Sequence, residues 1–330
     1  MFISYMDPAF RYTGRWSRLP DDDRVIVTTA PGAYFELAFT GELVTLQFDT
    51  AQNCAPYPHL WVSVDGAARV ETVLAPYLNV QAPDSGVHTL TVIFKSAVET
   101  HHRWHKPLVE KVSLIGAQAA GTAALPPDNR KVIEFVGDSI TEGILVDEDR
   151  VTDRIYLNES LNRVFQDDAC ASYAWRTAEI LNLRPIIMGY GAVGMTKGGS
   201  GGVPRAAEAY PYCFADCPIS FDEPDYIVIN HGANDRFASP QEYIQQYRAC
   251  LDTIRKLHPH AQIIVVSCYW NLFVRELEDM VAQYNRQNSD SVLFLDASSW
   301  TDGAITHPPR CDHENIAKQL SSALKDIVST

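Results

Sequence analysis

The first part of the chain alternates apolar and polar positions over short segments that end in turn residues. In the segment LVTLQFD, Val44, Leu46 and Phe48 fall on one side of an extended chain, which is the period of a half-buried β-strand. The pair Asp65 and Gly66 marks a tight hairpin turn. Seven segments of this kind lie between residues 24 and 116: VIVTTA, AYFELAF, LVTLQFD, HLWVSVDG, VETVLA, HTLTVIFK and VEKVSLIG. They predict an antiparallel β-sandwich of the jelly-roll kind.

Beyond residue 130 the pattern changes to apolar strands that alternate with longer helical stretches. This alternation predicts a parallel sheet covered by helices on both faces, with the ligand site at the carboxyl ends of the strands. The predicted strands are VIEFVG (132–137), PIIMGYG (185–191), YIVINHG (226–232), QIIVVSCYW (262–270) and SVLFLDA (291–297), and the predicted helices cover 168–182, 241–258, 274–288 and 312–328.

The segment that joins the two patterns has the composition of a linker. Residues 117–130, AQAAGTAALPPDNR, are small or polar and include two prolines. A chain of 330 residues is also long enough for two domains. We therefore expect a β-sandwich domain at 1–120, a linker at 121–130 and an α/β domain at 131–330.

Composition and charge exclude some classes of partner. The hydrophobic content of 46% is that of a soluble globular protein, and the net charge of −14 disfavours nucleic acid and anionic membranes as partners. A neutral small molecule or a sugar fits this charge better. No signal-peptide pattern or long apolar run is seen, so we expect a cytoplasmic protein, although a chain trimmed of its signal peptide would look the same. Nothing in the sequence indicates an oligomeric state.

Cysteine and histidine usage gives no sign of a metal centre. The seven cysteines are an odd number spread along the chain, which favours reduced thiols, and the CxxxC pair Cys213 and Cys217 has no second pair to complete a zinc set. His101, His102 and His105 form an HHxxH cluster without an evident carboxylate. We expect these histidines to serve surface or interdomain packing, and we expect no metal.

The first candidate for chemistry follows the strand VIEFVG directly. The segment is GDSIT, in which Ser139 stands at the end of a predicted parallel strand. Ser139 with Glu142 also fits a capping box, in which the serine does no more than start a helix. The pattern by itself does not separate a nucleophile from a cap.

Two further segments reach the same edge of the predicted sheet. GAND, which contains Asn234, follows the strand YIVINHG, and an asparagine amide there can donate to an oxyanion or simply shape a turn. GAVG ends at Gly194, whose backbone N–H can serve as a second donor or belong to a flexible turn.

A histidine and a carboxylate lie on the loop before the last predicted helix. A serine hydroxyl is a weak nucleophile and needs an imidazole to accept its proton, with a further group to orient the ring. His307 and Asp302 have the right chemistry, although an isolated loop histidine is commonly a solvated surface residue.

Together these four segments resemble the serine, glycine, asparagine and histidine blocks of the SGNH (GDSL) hydrolase superfamily, in the same order. The resemblance covers residues 132–328 and implies a three-layer α/β/α hydrolase domain. It implies Ser139 as the nucleophile and His307 as the general base. It also implies an oxyanion hole formed by the backbone N–H groups of Ser139 and Gly194 and the side chain of Asn234.

The two-part layout further resembles carbohydrate esterase family two, which removes acetyl groups from sugars. One position departs from the superfamily pattern: the acid usually stands three residues before the histidine, where this chain has Ala304. Either Asp302 completes the triad through a two-residue insertion, or another group such as a backbone carbonyl orients His307. A carboxylate and a carbonyl can both hold the ring. Of the two alternatives, we favour Asp302.

Two other side chains invite a functional interpretation. Ser200 lies in GGSGG, which fits the G-x-S-x-G elbow of α/β-hydrolases, but no strand runs into it, so a loop near the substrate is the better interpretation. Trp300 is close to His307 in sequence and can wall a pocket for an acyl group or a sugar.

These residues predict a serine esterase that acts on short acyl esters, most specifically O-acetyl groups of carbohydrates, without a cofactor. Asp138 and Asp235 are expected to hold the loops of the site. Two alternatives are a lipase or thioesterase with a long apolar pocket, and a carbohydrate-binding protein whose second domain is catalytically idle.

Overall fold

The computed structural model describes residues 1–148, 159–221, 223–301 and 307–328. The N-terminal part of this chain is built from short antiparallel strands. Their bounds are β1 Phe2–Ser4, β2 Phe10–Thr13, β3 Ser17–Leu19, β4 Asp22–Thr28, β5 Tyr34–Thr40, β6 Leu43–Phe48, β7 His59–Val64, β8 Val70–Val73, β9 Tyr77–Gln81, β10 Val87–Ser96, β11 Val112–Gln118 and β12 Gly121–Thr122.

These strands form two six-stranded sheets within the described residues. One sheet has the order β3-β4-β11-β6-β9 with β1 paired to β11, and the other has the order β12-β5-β10-β7-β8 with β2 paired to β5. In β6, Val44, Leu46 and Phe48 are buried in the shared core, as their alternation predicts. Asp65 and Gly66 turn the chain between β7 and β8 with positive φ angles of 52° and 73°. The predicted sandwich is confirmed.

The C-terminal part combines helices with a parallel sheet. Its strands are β13 Val132–Gly137, β14 Arg184–Gly189, β15 Tyr212–Phe214, β16 Cys217–Pro218, β17 Tyr226–Asn230, β18 Gln262–Val266 and β19 Leu293–Leu295. Its helices are α1 Ser139–Glu142, α2 Arg163–Gln166, α3 Tyr173–Ile180, α4 Ala206–Ala209, α5 Pro240–Leu257, α6 Val274–Asn288 and α7 Arg310–Val328.

Five of these strands form one parallel sheet in the order β14-β13-β17-β18-β19, while β15 and β16 make a separate hairpin. Each central strand is buried on both faces. In β17, Ile227 and Ile229 pack on the side of α5 and α6, whereas Val228 packs on the side of α3 and α7. The predicted three-layer arrangement is thereby confirmed, because continuous apolar strands require cover on both sides.

Helix α3 is shorter than the predicted span 168–182. The side chain of Asp168 accepts a hydrogen bond from Cys170 N and caps a short 3-10 turn, and the side chain of Ser172 then caps α3 itself by accepting from Trp175 N. Two successive caps divide one predicted helix into two pieces, since each Asx or Ser cap starts a new helical segment.

The two parts of the chain share their cores. Val25, Val27 and Trp104 of the first part pack in the same cluster as α5 and α6, and Ile93 packs in the cluster of α3 and α7. Strand β12 also extends the first part into the predicted linker. The domain division at 121–130 stays a prediction. Among the described residues no helix is long and apolar enough to span a membrane.

Candidate active site

Ser139 is the first residue of α1, directly beyond the end of β13. The helix is capped by the residue before it: the carboxylate of Asp138 accepts a hydrogen bond from Ile140 N at 3.0 Å. Gly137 lets the helix start this close to the sheet, because a Cβ there would lie 2.0 Å from Thr141 Oγ1 and 2.8 Å from Asn230 O. The capping-box interpretation of Ser139 is therefore wrong, since Asp138 takes that role and leaves the Ser139 hydroxyl free for another partner.

That partner is His307. Its Nε2 lies 3.0 Å from Ser139 Oγ, although the two residues are 168 positions apart in the sequence. Burial, together with the positive charge of Arg163, lowers the pKa of His307 to about 4. The imidazole is therefore neutral at physiological pH and able to accept the proton of the serine. Asp302, which we favour as the orienting carboxylate, lies outside the described residues.

Asn234 lies on the loop after β17, beside the GDSIT segment that carries Ser139. Its Nδ2 donates to Val193 O at 3.0 Å and to Asp138 Oδ2 at 3.3 Å, which is a long hydrogen bond. Burial raises the pKa of Asp138 to about 7, with the nearby charge of Asp235 as a further cause. The Asn234 amide thus sits beside the nucleophile segment with one weakly held hydrogen, which can turn towards a bound oxyanion.

The glycine segment, GAVG at residues 191–194, is held in place by Asp235. The Asp235 carboxylate accepts hydrogen bonds from Met195 N at 3.0 Å and Thr196 N at 2.8 Å, and a Cβ on Gly194 would lie 2.7 Å from its Oδ1. The N–H of Gly194 donates to Lys197 O at 3.0 Å. Its use as an oxyanion donor requires this hydrogen bond to be shared or broken. The expectation that Asp138 and Asp235 hold the loops agrees with these contacts.

The backbone N–H of Ser139 is the donor with the fewest competing partners. No acceptor for it is present in the ranges that the structure describes. Because this N–H stands at the first position of a helix, it has no carbonyl partner within the helix. Of the three candidate donors, this one is available without any rearrangement.

A buried ion pair next to Ser139, which the sequence did not predict, links α1 to the glycine segment. The guanidinium of Arg103, between β10 and β11, binds the carboxylate of Glu142 through both of its terminal nitrogens. Glu142 Oε2 also accepts the N–H of Gly191 at 2.7 Å, so the carboxylate joins α1 to the glycine segment. Glu142 could be noticed in sequence as the third residue after Ser139, but Arg103 has no signal of this kind.

Ser200 occupies a different setting from Ser139. It begins the short 3-10 turn Ser200–Gly202, and its backbone N–H donates to Gly191 O at 2.8 Å. No strand leads into it, and no histidine of the described part of the chain is hydrogen-bonded to its hydroxyl. The turn contacts the glycine segment through the hydrogen bond to Gly191 O, and a role beside the substrate stays a prediction.

Trp300 is half-buried and lies on the loop before α7, which also carries His307. Its ring stands 6.5 Å from that of Tyr269, centroid to centroid, and its backbone oxygen accepts from Asn315 Nδ2 at 3.2 Å. These contacts connect Trp300 to the loop after β18 and to α7. A wall for a substrate pocket stays a prediction for this side chain.

The arrangement has the parts that acyl transfer needs. A serine hydroxyl is hydrogen-bonded to a neutral imidazole, and a backbone N–H and an amide side chain stand next to the serine. A nucleophile with its base performs the attack on a carbonyl, and nearby donors stabilise the negative charge that develops. Hydrolysis of an ester through an acyl-enzyme is the chemistry that this group of atoms can carry out.

Comparison with known families agrees with this chemistry. Residues 135–329 match the model of the GDSL-like lipase/acylhydrolase family. No curated protein sequence matches the chain.

Solved structures resemble the chain over its whole length. A family two carbohydrate esterase from Cellvibrio japonicus is 20% identical with a TM-score of 0.79, over 100% of this chain and 98% of that one. A family two carbohydrate esterase from Clostridium thermocellum, in complex with cellohexaose, is 21% identical with a TM-score of 0.75, over 97% of this chain and 99% of that one. The acetyl xylan esterase Est2A from Butyrivibrio proteoclasticus is 18% identical with a TM-score of 0.77, over 100% and 98%. These likenesses show a shared fold that includes the β-sandwich.

Proposed function

The chain belongs to the GDSL-like lipase/acylhydrolase family, and from this premise we propose that it removes O-acetyl groups from carbohydrates by a two-step serine mechanism. The observation that carries the proposal is the 3.0 Å hydrogen bond between His307 Nε2 and Ser139 Oγ at the carboxyl edge of the parallel sheet. The esterase activity follows from the family. The acetylated sugar follows from the whole-chain likeness to carbohydrate esterases, which extends to the β-sandwich as well as the hydrolase region.

In the first step, Ser139 Oγ attacks the ester carbonyl while His307 Nε2 accepts the hydroxyl proton. The tetrahedral oxyanion receives hydrogen bonds from Ser139 N–H and from the Asn234 amide, which gives up its long contact with Asp138. Gly194 contributes its N–H once the bond to Lys197 O opens. His307 then returns the proton to the sugar oxygen, and the alcohol leaves.

In the second step, water takes the place of the sugar alcohol. His307 accepts a proton from the water as its oxygen attacks the acyl carbon, and the second tetrahedral intermediate collapses to acetic acid as His307 returns the proton to Ser139 Oγ. Asp302 holds the imidazole in the tautomer that leaves Nε2 unprotonated. Every group that moves a proton in this scheme is a side chain of the protein, so the reaction proceeds without a cofactor.

A lipase or thioesterase acting on long acyl chains is the second candidate, since the family includes acylhydrolases of this kind by its description. Chain length separates the two. An acetylesterase has its highest kcat/KM with acetyl esters, whereas an enzyme with a long apolar pocket gains about 0.8 kcal/mol of binding for each additional buried CH₂.

The test measures hydrolysis of 4-nitrophenyl acetate, butyrate and decanoate, and release of acetate from an acetylated xylo-oligosaccharide. Ser139→Ala should lower kcat/KM by about three or more orders of magnitude, on the scale of losing a triad member. Ser200→Ala is the matched control and should retain full activity. A folded Ser139→Ala protein with near-normal turnover would refute the proposed mechanism. A preference for the decanoate ester would refute the proposal that acetyl esters are the substrate.

A further inference from the structure

Cys54, His101 and Glu110 form a compact cluster on the β-sandwich, outside the candidate active site. Within the described residues, one potential ligand atom from each of the three lies within 4.8 Å of the other two. His101 Nδ1 is 2.7 Å from Glu110 Oε1 and 3.7 Å from Cys54 Sγ. Cys54 comes from the connection between β6 and β7, and the other two residues come from the connection between β10 and β11. Two separate loops therefore contribute to one group of thiol, imidazole and carboxylate.

Glu110 carries an oxygen that the protein leaves unpartnered. The residue is fully buried, and its Oε2 makes no hydrogen bond among the described residues. Burial raises the pKa of Glu110, while His101 acts in the opposite direction. A buried carboxylate oxygen without a partner costs free energy, so its presence beside a histidine and a thiol needs an explanation. A cation bound to the cluster would satisfy it.

We propose that Cys54, His101 and Glu110 bind one Zn²⁺ ion, with water as the fourth ligand. Sulfur, imidazole nitrogen and carboxylate oxygen are the three ligand types that zinc prefers in proteins. Ligand atoms at about 2.0–2.3 Å from a tetrahedral ion lie roughly 3.3–3.8 Å apart, so small rotations of these side chains suffice to close the site. A thiolate ligand selects zinc over magnesium or calcium, which prefer oxygen ligands alone.

This site revises the expectation for the HHxxH cluster. Among the described residues only His101 of the three histidines joins the ligand group, while His102 and His105 are exposed and are not part of it. The carboxylate that the sequence lacked nearby is Glu110, which stands nine residues after His101. The chain folds back between them: both Val109 N and Glu110 N donate to His102 O, at 2.8 and 3.1 Å.

Zinc binding at this site displaces protons. Zinc binds the thiolate form of cysteine, so the Cys54 thiol proton goes to solvent when the ion binds. The ligating nitrogen of His101 must also be free of a proton, which in a neutral imidazole is carried by the other ring nitrogen. Zinc affinity should therefore fall as the pH is lowered, because protons and metal compete for the same atoms.

The metal would also fasten a loop that reaches the active site. The connection that carries His101 and Glu110 also carries Arg103, which binds Glu142 beside the nucleophile, and Arg103 N donates to Gly201 O at 3.1 Å. Asn53, next to Cys54, already donates from Nδ2 to Val109 O and Lys111 O at 2.8 and 3.0 Å. Zinc would add a stronger link between the same two loops.

The experiment uses the full chain without an affinity tag, reduced and freed of metal by chelation. Zn²⁺ is titrated by calorimetry in two buffers of different ionisation enthalpy, and Co²⁺ is titrated by absorbance to detect thiolate-to-metal charge transfer. We expect one ion per chain, proton release, a cobalt–thiolate band and a rise in Tm on adding zinc. Absence of saturable zinc binding by the folded protein would overturn the proposal.

Variants locate the ion. Cys54 is exposed, so Cys54→Ser should fold normally. This variant should lose the cobalt–thiolate band. It should also weaken zinc binding beyond the roughly 10- to 100-fold range typical of losing an outer-shell partner. Glu110→Gln should weaken it similarly, with circular dichroism to establish folding. Cys311→Ser, another exposed thiol, and His102→Ala are the matched controls and should bind zinc like the parent. Unchanged zinc binding in Cys54→Ser would also overturn the proposal, whatever the behaviour of Glu110→Gln.

Discussion

The guanidinium of Arg15 lies 2.7 Å from the carboxylate of Glu134, and both side chains are completely buried. Arg15 belongs to the β-sandwich and Glu134 to the first strand of the parallel sheet, so the pair joins the two parts of the molecule. Tyr210 completes the arrangement: its hydroxyl donates to Glu134 at 2.6 Å, and its backbone oxygen accepts from Arg15 at 2.8 Å. A carboxylate inside the sheet thus obtains its counter-ion from a distant loop.

Removing one partner of this pair should destabilise the protein strongly. Arg15→Met leaves Glu134 charged and buried without compensation, and we expect a loss of about 3–5 kcal/mol in the free energy of unfolding. Adding Glu134→Leu should recover a large part of it, because a buried pair can be replaced by apolar groups at little cost. Urea unfolding of the two single variants and the double variant measures this coupling.

Arg24→Met provides the matched control, because Arg24 forms an exposed pair with Asp22. This change should have little effect on the free energy of unfolding, because solvent screens an exposed ion pair. Similar effects of Arg15→Met and Arg24→Met would contradict the role given to the buried pair.

The acid limb of the pH profile should report His307. Burial and the charge of Arg163 lower the pKa of His307 to about 4, and the base works only in its neutral form. Activity should therefore persist well below pH 6.5 and be lost as the pH falls through about 4. Replacing Arg163 by Gln removes the positive charge, raises the pKa of His307 and moves the limb to higher pH. The dependence of kcat/KM on pH measures both effects in the free enzyme.

Arg176→Gln is the control for this shift, since Arg176 is a surface residue paired with Glu179. It should leave the acid limb in place. An acid limb near pH 6.5 in the parent protein would contradict the lowered pKa of His307, and a limb that Arg163→Gln does not move would contradict the effect assigned to the Arg163 charge.

The identity of the group that orients His307 can be decided by Asp302→Asn. If the Asp302 carboxylate holds the imidazole, this change should lower kcat by about three to four orders of magnitude, because the amide favours the wrong tautomer. Asp312→Asn, in the first turn of α7, is the control and should have little effect. A loss of less than about tenfold in Asp302→Asn would mean that another group, such as a backbone carbonyl, orients the ring.

Asn234→Ala should lower kcat by about 10²- to 10³-fold with little change in KM, because an oxyanion donor acts in the transition state. Steady-state kinetics with 4-nitrophenyl acetate measures the two constants separately. Asn182→Ala, in the turn before β14, offers a control at the opposite, amino-terminal edge of the parallel sheet. A change confined to KM would indicate that Asn234 binds substrate and does not stabilise the oxyanion.

The parallel sheet could be predicted from the sequence because its strands are continuous apolar runs that must be buried on both faces. VIEFVG is buried at every position and was predicted with its observed bounds. The short strands β1 and β3 were missed, since three residues are too few to establish an alternation. Pairing with long neighbours, and not their own pattern, makes these two segments extended.

The site divides in the same way. Ser139 and His307 could be predicted because each stands in a local motif at a strand end or before a helix, and the fold then brings them together. Arg103 and Arg15 could not, because arginines are mostly exposed and nothing local marks one that will be buried. Their partners Glu142 and Glu134 are 39 and 119 residues away.

The buried arginines have a consequence for anyone who wants to recombine this enzyme with others. The hydrolase region would carry Glu134 and Glu142 into any chimera, and both of their counter-ions would stay behind with the β-sandwich. A transplanted region would hold two uncompensated charges, one in its sheet and one beside its nucleophile. The smallest piece of this protein that can be moved as a working part is therefore the sandwich and the hydrolase region together.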